Sequence, residues 1–356
     1  MLVLGNDDVE RLLGMKDCIG ALETMYRDYA HGRALLSPRV DNLVPTRLDG
    51  AYYAFKHMGG AWPAKGVQAL RLNSDVITHP VVAGKPRRVK QPLAQGRWVG
   101  LVLLFSTETG ALLAMFPDGI MQRLRVGAAS GIAMKQLARE DVRTLALLGS
   151  GWQAGAQLMA ALAVRPWREV RVYSPSRQNR EAFVVKARER HGANIVAVES
   201  APACVAGADV IMAGTSSMAR VIEPHWLRPG MHLSCIKTQE VDGEVLDGCH
   251  TVFVHTREQA KQIDNVMKDT PNVPSQSSRG WWNDGSHDIA RYPDLAQLVA
   301  GLAPGRRRPE EITCFVNNVG MGLQFAAAGA LLLDKARQAG VGRELPDDWF
   351  TEEVHP

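Results

Sequence analysis

The segment that decides the fold is Arg143-Thr144-Leu145-Ala146-Leu147-Leu148-Gly149-Ser150-Gly151-Trp152-Gln153-Ala154, an apolar run followed by a glycine turn and the start of a helical pattern. A buried parallel strand that enters such a turn is typical of a dinucleotide site. Gly149 can adopt backbone angles that other residues avoid, and Gly151 lets the backbone approach a pyrophosphate at the positive end of the next helix. The predicted cofactor-binding residues of this turn are Gly149, Ser150, Gly151, Trp152 and Gln153.

Strand-like and helix-like segments alternate after this turn, in the order of a doubly wound parallel sheet. The segment 170–173 reads as the second strand, one helix length beyond the turn, so the glycines stand in the βαβ context that a dinucleotide fingerprint requires. Six strands are predicted, one beginning at 144 and the others at 170–173, 195–198, 210–213, 232–236 and 251–254. A further strand-like run follows at 312–316, outside these six. The sequence therefore predicts an α/β fold with a Rossmann domain.

The two ends of the chain have a different pattern, in which short β-leaning runs are combined with helices. Runs at 99–105 and 111–116 are joined by Thr107-Glu108-Thr109-Gly110, a turn of hairpin type. We predict an α+β domain made of 1–125 plus 320–356, with a Rossmann domain of 126–319 inserted into it. The polar stretch 264–294 lacks clear periodicity and is predicted to be a lid or a dimer arm.

Composition sets further limits on function. The 356 residues are 46% hydrophobic and 22% charged, which suits two globular domains. The net charge of +4 is small and is not gathered into a basic helix, which argues against nucleic-acid binding. No apolar run approaches the roughly 20 residues of a membrane span. The five cysteines form no Cys-x-x-Cys pair and residues 1–10 are not those of a secretory leader, so we expect a cytoplasmic protein.

Several motifs resemble those of the ornithine cyclodeaminase and mu-crystallin family, over nearly the whole chain. The segment 124–130 is similar to a helix start of that family, and 148–154 is similar to its cofactor turn. Its closing block has counterparts at 304–306, 312–315 and 320–324. The resemblance implies that the α+β domain binds substrate and dimerises, that the Rossmann domain binds NAD(P), and that the protein is a homodimer.

In that family two arginines and a lysine hold the carboxylate of the substrate. Arg39 and Arg125 stand at what resemble the two arginine positions, and a planar guanidinium suits a carboxylate. Gln68 stands where the lysine is expected, so one cation is lost, and Gln68 and Met58 are predicted to line the substrate pocket with the arginines. Lys56 shares the face of Met58 by the two-residue period of a strand and could return a cation to the pocket. The alternative is that Lys56 is an exposed edge lysine.

The proton-transfer group is the main departure from the family. Its aspartate should follow His232 by about seven residues, where this chain has Gln239 and Glu240. A glutamine amide cannot act as a general acid or base, whereas Glu240 could with a shift of one residue. We therefore predict Lys56 and Glu240 as the catalytic residues. The alternative for Glu240 is a solvated loop carboxylate.

The choice of cofactor depends on the end of the second Rossmann strand, where NAD-binding proteins carry an acidic residue. The segment 173–177 has none. Ser174, Ser176 and Arg177 suit the 2′-phosphate of NADP, while NAD remains open if Arg177 is an ordinary helix-start residue. The loop after the fourth strand, with Thr215 and Ser216, is predicted to border the nicotinamide half of the cofactor.

These residues and the resemblance predict an NAD(P)H-dependent oxidoreductase. Its substrate would be a small carboxylate-bearing α-imino acid, α-keto acid or amino acid, as for an imine or ketimine reductase or an amino-acid dehydrogenase. One alternative is an ornithine cyclodeaminase, in which bound NAD oxidises the amino acid, ammonia leaves and the hydride returns. Another is an NADPH- and ligand-binding protein with vestigial catalysis. The histidines lack a zinc-ligand spacing such as His-Glu-x-x-His, so no metal site is predicted.

Overall fold

The computed structural model describes residues 1–82, 85–86, 88–217, 219–257, 261–267 and 287–354. The chain divides into two compact units. The first comprises Met1–Arg125, Gln259–Ser278 and Met321–Pro356, and the second comprises Val126–Glu258 and Arg279–Gly320.

The described residues form both helices and strands, which are numbered in chain order. The helices are α1 (Asn6–Leu12), α2 (Met15–Ala30), α3 (Gly119–Leu137), α4 (Trp152–Val164), α5 (Arg177–His191), α6 (Ala201–Val205), α7 (Gly243–Asp247), α8 (Leu295–Val299) and α9 (Leu323–Ala339). The strands are β1 (Leu2–Val3), β2 (Leu35–Leu36), β3 (Arg39–Pro45), β4 (Ala51–Trp62), β5 (Val67–Thr78), β6 (Val81–Val82), β7 (Lys85–Pro86), β8 (Val89–Gln91), β9 (Val99–Ser106), β10 (Leu112–Pro117), β11 (Thr144–Leu148), β12 (Glu169–Tyr173), β13 (Ile195–Ala197), β14 (Val210–Ala213), β15 (His232–Cys235), β16 (Thr251–Val254), β17 (Lys261–Asn265), β18 (Thr313–Val316) and β19 (Arg343–Glu344).

The first unit is built on a mixed sheet. Its strand order is β17-β3-β4-β5-β9-β10-β1-β19, with β2 beside β4 and β8 beside β5. Side chains of β4 and β5 alternate between a buried and a half-buried face, as a strand covered on one side requires. Helix α9 packs against β4, β5 and β9 on the buried face; a Cβ atom on Gly60 would lie 2.6 Å from Leu323 Cα.

Strand β17 is a difference from the predicted division, which kept 126–319 in one domain. It pairs in parallel with β3 of the first unit's sheet, with Ile263 opposite Asp41. Residues 268–286 of the predicted lid or dimer arm lie outside the described residues. Near its end, Ile289–Arg291 forms a 3-10 turn.

The second unit contains a parallel sheet with the order β13-β12-β11-β14-β15-β18-β16. The α/β class and the Rossmann topology predicted from the sequence are confirmed. The described sheet has seven strands where six were predicted, because β18 lies between β15 and β16. The direction in which successive strands are added reverses between β11 and β14, which is where such sheets bind ligands.

Aliphatic side chains fill both faces of this sheet. Leu145 and Leu147 of β11 belong to one core layer, while Ala146 and Leu148 belong to the other. Burial on both faces explains why the strand sequence is a continuous apolar run. In neither unit do the described residues include a helix long and apolar enough to span a membrane.

Candidate functional site

The glycine turn after β11 has the geometry that its sequence predicts. Gly149 has a φ of +121°, and a Cβ atom there would lie 2.5 Å from the carbonyl oxygen of Gly214. Gly149 therefore allows the loops after β11 and β14 to meet. Gly151 is the N-cap of α4, and a Cβ atom on it would contact nothing within 4 Å. The open space beside Gly151, at the amino end of α4, fits the approach of a dinucleotide pyrophosphate.

The loop after β14 is held by Glu240. The carboxylate accepts hydrogen bonds from Thr215 N and Thr215 Oγ1, both at 2.7 Å, and from Ile236 N at 2.8 Å. Glu240 is completely buried, so the alternative of a solvated loop carboxylate is wrong. Its side chain braces the loops after β14 and β15, and this fixes the predicted nicotinamide-side residue Thr215. Ser216, next along the chain, is exposed.

The predicted 2′-phosphate residues lie at the end of β12 and the start of α5. The hydroxyls of Ser150 and Ser174 are 2.8 Å apart, which joins this strand end to the glycine turn. Ser176 is the N-cap of α5 and accepts a hydrogen bond from Asn179 N. Arg177 is exposed and pairs with Glu181 at 2.8 Å. The serines and Arg177 therefore already have partners within this edge of the unit.

Sequence reasoning missed a second arginine at this edge. Arg180 is buried and lies over the ring of Tyr173, with its guanidinium carbon 5.9 Å from the ring centroid. It donates a hydrogen bond to the carbonyl of Ser174 and pairs with Glu199. Its position one helical turn after Ser176 could have indicated from the sequence that Arg180 lies near this strand end. Arg180 stabilises the strand end that presents Ser174.

In the first unit, the buried side of β3, β4 and β5 carries ions, and we call it the charged face. Lys56 and Met58 both lie on it, as the two-residue period predicts, and Met58 stands directly opposite Arg71. The other charged residues of this face are Arg39, Asp41 and Asp75. Arg39 binds both carboxylate oxygens of Asp41, at 2.7 and 2.9 Å.

Lys56 is buried and is not the exposed edge lysine of the alternative interpretation. Its Nζ atom lies 2.7 Å from Asp75 Oδ2. Burial, together with the positive charge of Arg88, lowers the pKa of Lys56 to about 7, although Asp75 partly opposes the shift. An amine with this pKa can both donate and accept a proton near neutral pH.

Arg71 was also missed. Its Nε atom donates to Asp118 Oδ2 at 2.7 Å, and its Nη2 atom donates to Asn73 Oδ1. The Nδ2 atom of Asn73 in turn donates to Asp118 Oδ2. The sequence signal for Arg71 was its position two residues after Ala69, which places both residues on the same face of an alternating strand. It was hidden because Leu70 and Leu72 make the opposite face the more apolar one.

Arg125 differs from Arg39 and Arg71 because its partner is neutral. Its Nη1 atom donates to Gln324 Oε1 at 3.0 Å, and its guanidinium carbon lies 5.4 Å from the centroid of the Phe325 ring. Within the part of the chain that the structure describes, no carboxylate pairs with it, and its buried Nε has no hydrogen-bond partner. Burial, with the neighbouring charge of Arg71, lowers the pKa of Arg125 to about 9. Arg125 is a buried cation without a counter-ion among the described residues.

Gln68 does not join the other predicted substrate residues. It lies on the half-buried face of β5, opposite to that of Arg71, and its amide donates to the carbonyl of Ala69 at 2.8 Å. The expectation that Gln68 lines a pocket with Met58 is corrected by this strand parity. The structure gathers Arg39, Lys56 and Met58 on the charged face and leaves Gln68 on the other side.

The parallel sheet, its glycine turn and the bracing of the loop after β14 define a dinucleotide-binding α/β protein. The model of the ornithine cyclodeaminase/mu-crystallin family matches residues 1–340. The chain belongs to this family, as its motifs predict.

Three similar proteins illustrate the family. The alanine dehydrogenase of Archaeoglobus fulgidus is 30% identical over 353 residues, covering 97% of this chain and 98% of the relative. A Delta(1)-pyrroline-2-carboxylate reductase of Bacillus cereus is 26% identical and covers 97% and 99%. The structure of the Thermococcus litoralis Delta(1)-pyrroline-2-carboxylate reductase with NADH and L-proline has a TM-score of 0.76 at 24% identity, covering 97% of this chain and 100% of that one. At that identity the structural likeness supports the fold.

Proposed function

We propose that this protein is an NAD(P)H-dependent oxidoreductase that reduces a small α-imino acid, or an α-keto acid with an amine, and catalyses the reverse oxidation of the amino acid. The observation that carries the proposal is Arg125, a buried guanidinium with a neutral partner. A buried cation without a counter-ion is costly unless an anion joins it. The substrate carboxylate would supply that charge. The reductases and the dehydrogenase named among the relatives act on compounds of this class.

The cofactor would be held by the second unit. The amides at the start of α4 would bind the pyrophosphate, with Gly149 and Gly151 leaving room for it. When bound, the nicotinamide supplies the hydride for reduction of a C=N bond or accepts it in the reverse direction. Thr215, fixed by Glu240, would hold the loop beside the nicotinamide. Glu240 then acts on loop geometry and does not transfer a proton.

The substrate would be held by the first unit. Arg125 would bind the carboxylate through the free edge of its guanidinium. Arg39 would contribute if it exchanged one of its two bonds to Asp41. Lys56 would give a proton to the nitrogen of the product amine and would recover it from solvent. Its pKa of about 7 suits both directions.

The preference for NADP is part of the proposal. Ser174, Ser176 and Arg177, at the end of β12 and the start of α5, would contact the 2′-phosphate of NADP, and the segment 173–177 contains no carboxylate to bind a free ribose. Arg177 would leave its exposed partner Glu181 to contact the phosphate. Such surface ion pairs contribute little, so the exchange costs little.

We also propose a homodimer. The face of the first unit's sheet opposite α9 carries half-buried large apolar side chains, which are Tyr53, Phe55, Leu70, Leu72, Leu101, Leu103, Phe105 and Met115. An apolar patch of this kind is typical of a protein interface. A second copy of this chain would cover it. The described cysteines are unpaired, which suits the cytoplasm.

The test is oxidation of NADPH and NADH by the purified protein, with a panel of cyclic imino acids and of keto acids supplied with ammonia or methylamine. We expect turnover with at least one imino acid, faster with NADPH. Release of ammonia from ornithine with catalytic NAD, together with no turnover of any compound in the panel, would overturn the proposal in favour of a cyclodeaminase. Tight NADPH binding without any turnover would instead indicate a binding protein.

A further inference from the structure

Three arginines of the first unit provide an internal comparison of partners. Arg39 is paired with Asp41, and Arg71 is paired with Asp118. Among the described residues, the Arg125 guanidinium donates to the amide oxygen of Gln324 and lies over the ring of Phe325, with no carboxylate paired to it. Arg125 is as deeply buried as Arg71, yet it is the one of these three whose partners among the described residues include no carboxylate.

Gln324 is completely buried at the start of α9, and both atoms of its side-chain amide form hydrogen bonds. Its Oε1 atom accepts from Arg125 Nη1 at 3.0 Å and from Met321 N at 3.3 Å. Its Nε2 atom donates to Tyr26 Oη at 3.0 Å and to the Arg125 carbonyl at 3.2 Å. One side chain therefore holds both the guanidinium and the backbone of Arg125, and ties α3 to α2 and α9.

We propose that Gln324 is a positioning residue that fixes Arg125 while leaving its charge uncompensated, so that the neutrality of this amide sets the preference of the site for an anionic substrate. The inference rests on the proposed function, in which Arg125 binds the substrate carboxylate. A glutamate at this position would keep the oxygen that accepts from Arg125, would lose the two hydrogen bonds that Nε2 donates and would add a counter-ion. The substrate carboxylate would then have to compete with an internal one in a buried setting, where ion pairs are strong.

The experiment compares Gln324→Glu, Gln324→Ala and the control Gln338→Glu, which makes the same change on the exposed end of α9. Binding of two unreactive probes, pyrrole-2-carboxylate and the neutral pyrrole-2-carboxamide, is measured by calorimetry. We expect Gln324→Glu to weaken carboxylate binding by about a hundredfold, as loss of a charge-assisted bidentate contact would, with carboxamide binding within about threefold of wild type. Gln324→Ala should weaken carboxylate binding by about tenfold, because Arg125 loses its positioning bond but gains no counter-ion. The Gln338→Glu control should bind both probes as wild type does.

The two probes separate electrostatics from packing. A merely structural role for Gln324 would weaken both probes equally, and that result would overturn the inference. So would carboxylate binding by Gln324→Glu that matches wild type, or a wild-type protein that does not distinguish the two probes. If the wild type binds the carboxylate as expected but reduces no imino acid, the proposed reaction fails while the role of Gln324 stands.

Discussion

The sheet of the second unit buries aliphatic side chains on both faces, whereas the covered face of the first unit's sheet buries ions. In β11 the four residues after Thr144 are all buried and apolar. In β5 the buried residues include Arg71, Asn73 and Asp75, while Leu70 and Leu72 are only half-buried. The two sheets therefore have different roles. The apolar sheet supports a backbone turn, whereas the charged sheet holds ionised side chains in fixed positions.

The largest effect is expected from changing the turn that the apolar sheet supports. Gly149→Val would place a Cβ atom 2.5 Å from Gly214 O at a φ of +121°, where β-branched residues are strongly disfavoured. We expect cofactor binding to fall by more than about a hundredfold in fluorescence titration. Gly192→Asn is the control, because that position also has a positive φ but open space around it. Normal affinity in Gly149→Val would show that the two loops do not need this glycine.

The charged face is tested by removing one member of an ion pair. Arg71→Met leaves Asp118 buried without its cation, which should lower the free energy of unfolding by about 3–5 kcal/mol in urea denaturation. The double variant Arg71→Met/Asp118→Asn should recover part of that loss. Arg171→Met, which breaks the half-exposed pair with Glu169 in the other sheet, should cost about 1 kcal/mol or less. Equal losses at Arg71 and Arg171 would remove the distinction between the two sheets.

Lys56 tests whether the charged face also serves chemistry. Its pKa of about 7 means that the ammonium form donates a proton below that pH and the free amine accepts one above it. The reductive kcat should therefore fall as pH rises through 7, and the oxidative kcat should rise. Lys56→Met should lose this pH dependence and about a hundredfold in kcat, whereas Lys65→Met, at an exposed position, should behave as wild type. An unchanged pH profile in Lys56→Met would assign proton transfer elsewhere.

The smallest effect is expected at Glu240, in the second unit. Glu240→Gln loses one of the three acceptor contacts and sets an amide against the N–H of Ile236, which should cost about 1–3 kcal/mol of stability. We expect a several-fold rise in the KM for cofactor with the shape of the pH profile retained. Glu244→Gln, which alters an exposed ion pair with Arg220, is the control. Loss of one limb of the pH profile in Glu240→Gln would restore it as a proton-transfer group.

The second unit could be predicted closely because its signals are local. A continuous apolar strand, a glycine turn and a helical start are adjacent in sequence, and their geometry follows from parallel-sheet packing. The strand-like run at 312–316 was predicted, but not as a member of the parallel sheet. Its place in that sheet, as β18 between β15 and β16, depends on contacts far apart in the chain.

The first unit was less predictable because the buried face of β5 could not be chosen from hydrophobicity. Gln68, Leu70 and Leu72 share one face and Ala69, Arg71 and Asn73 the other, so apolar content favours the wrong one. Only the packing of α9 shows which face is covered. Gln324 was noted as part of a family motif, but its bond to Arg125 joins residues 199 positions apart.

The most direct test of the central claim compares kcat/KM for a cyclic α-imino acid with that for the same imine lacking its carboxylate, in wild type and in Arg125→Met. A site built around Arg125, which has no carboxylate partner among the described residues, should favour the carboxylate in wild type by about a thousandfold or more. Arg125→Met should reduce that ratio by at least about a hundredfold. Retention of the wild-type ratio in Arg125→Met would contradict the assignment of Arg125 as the carboxylate-binding residue.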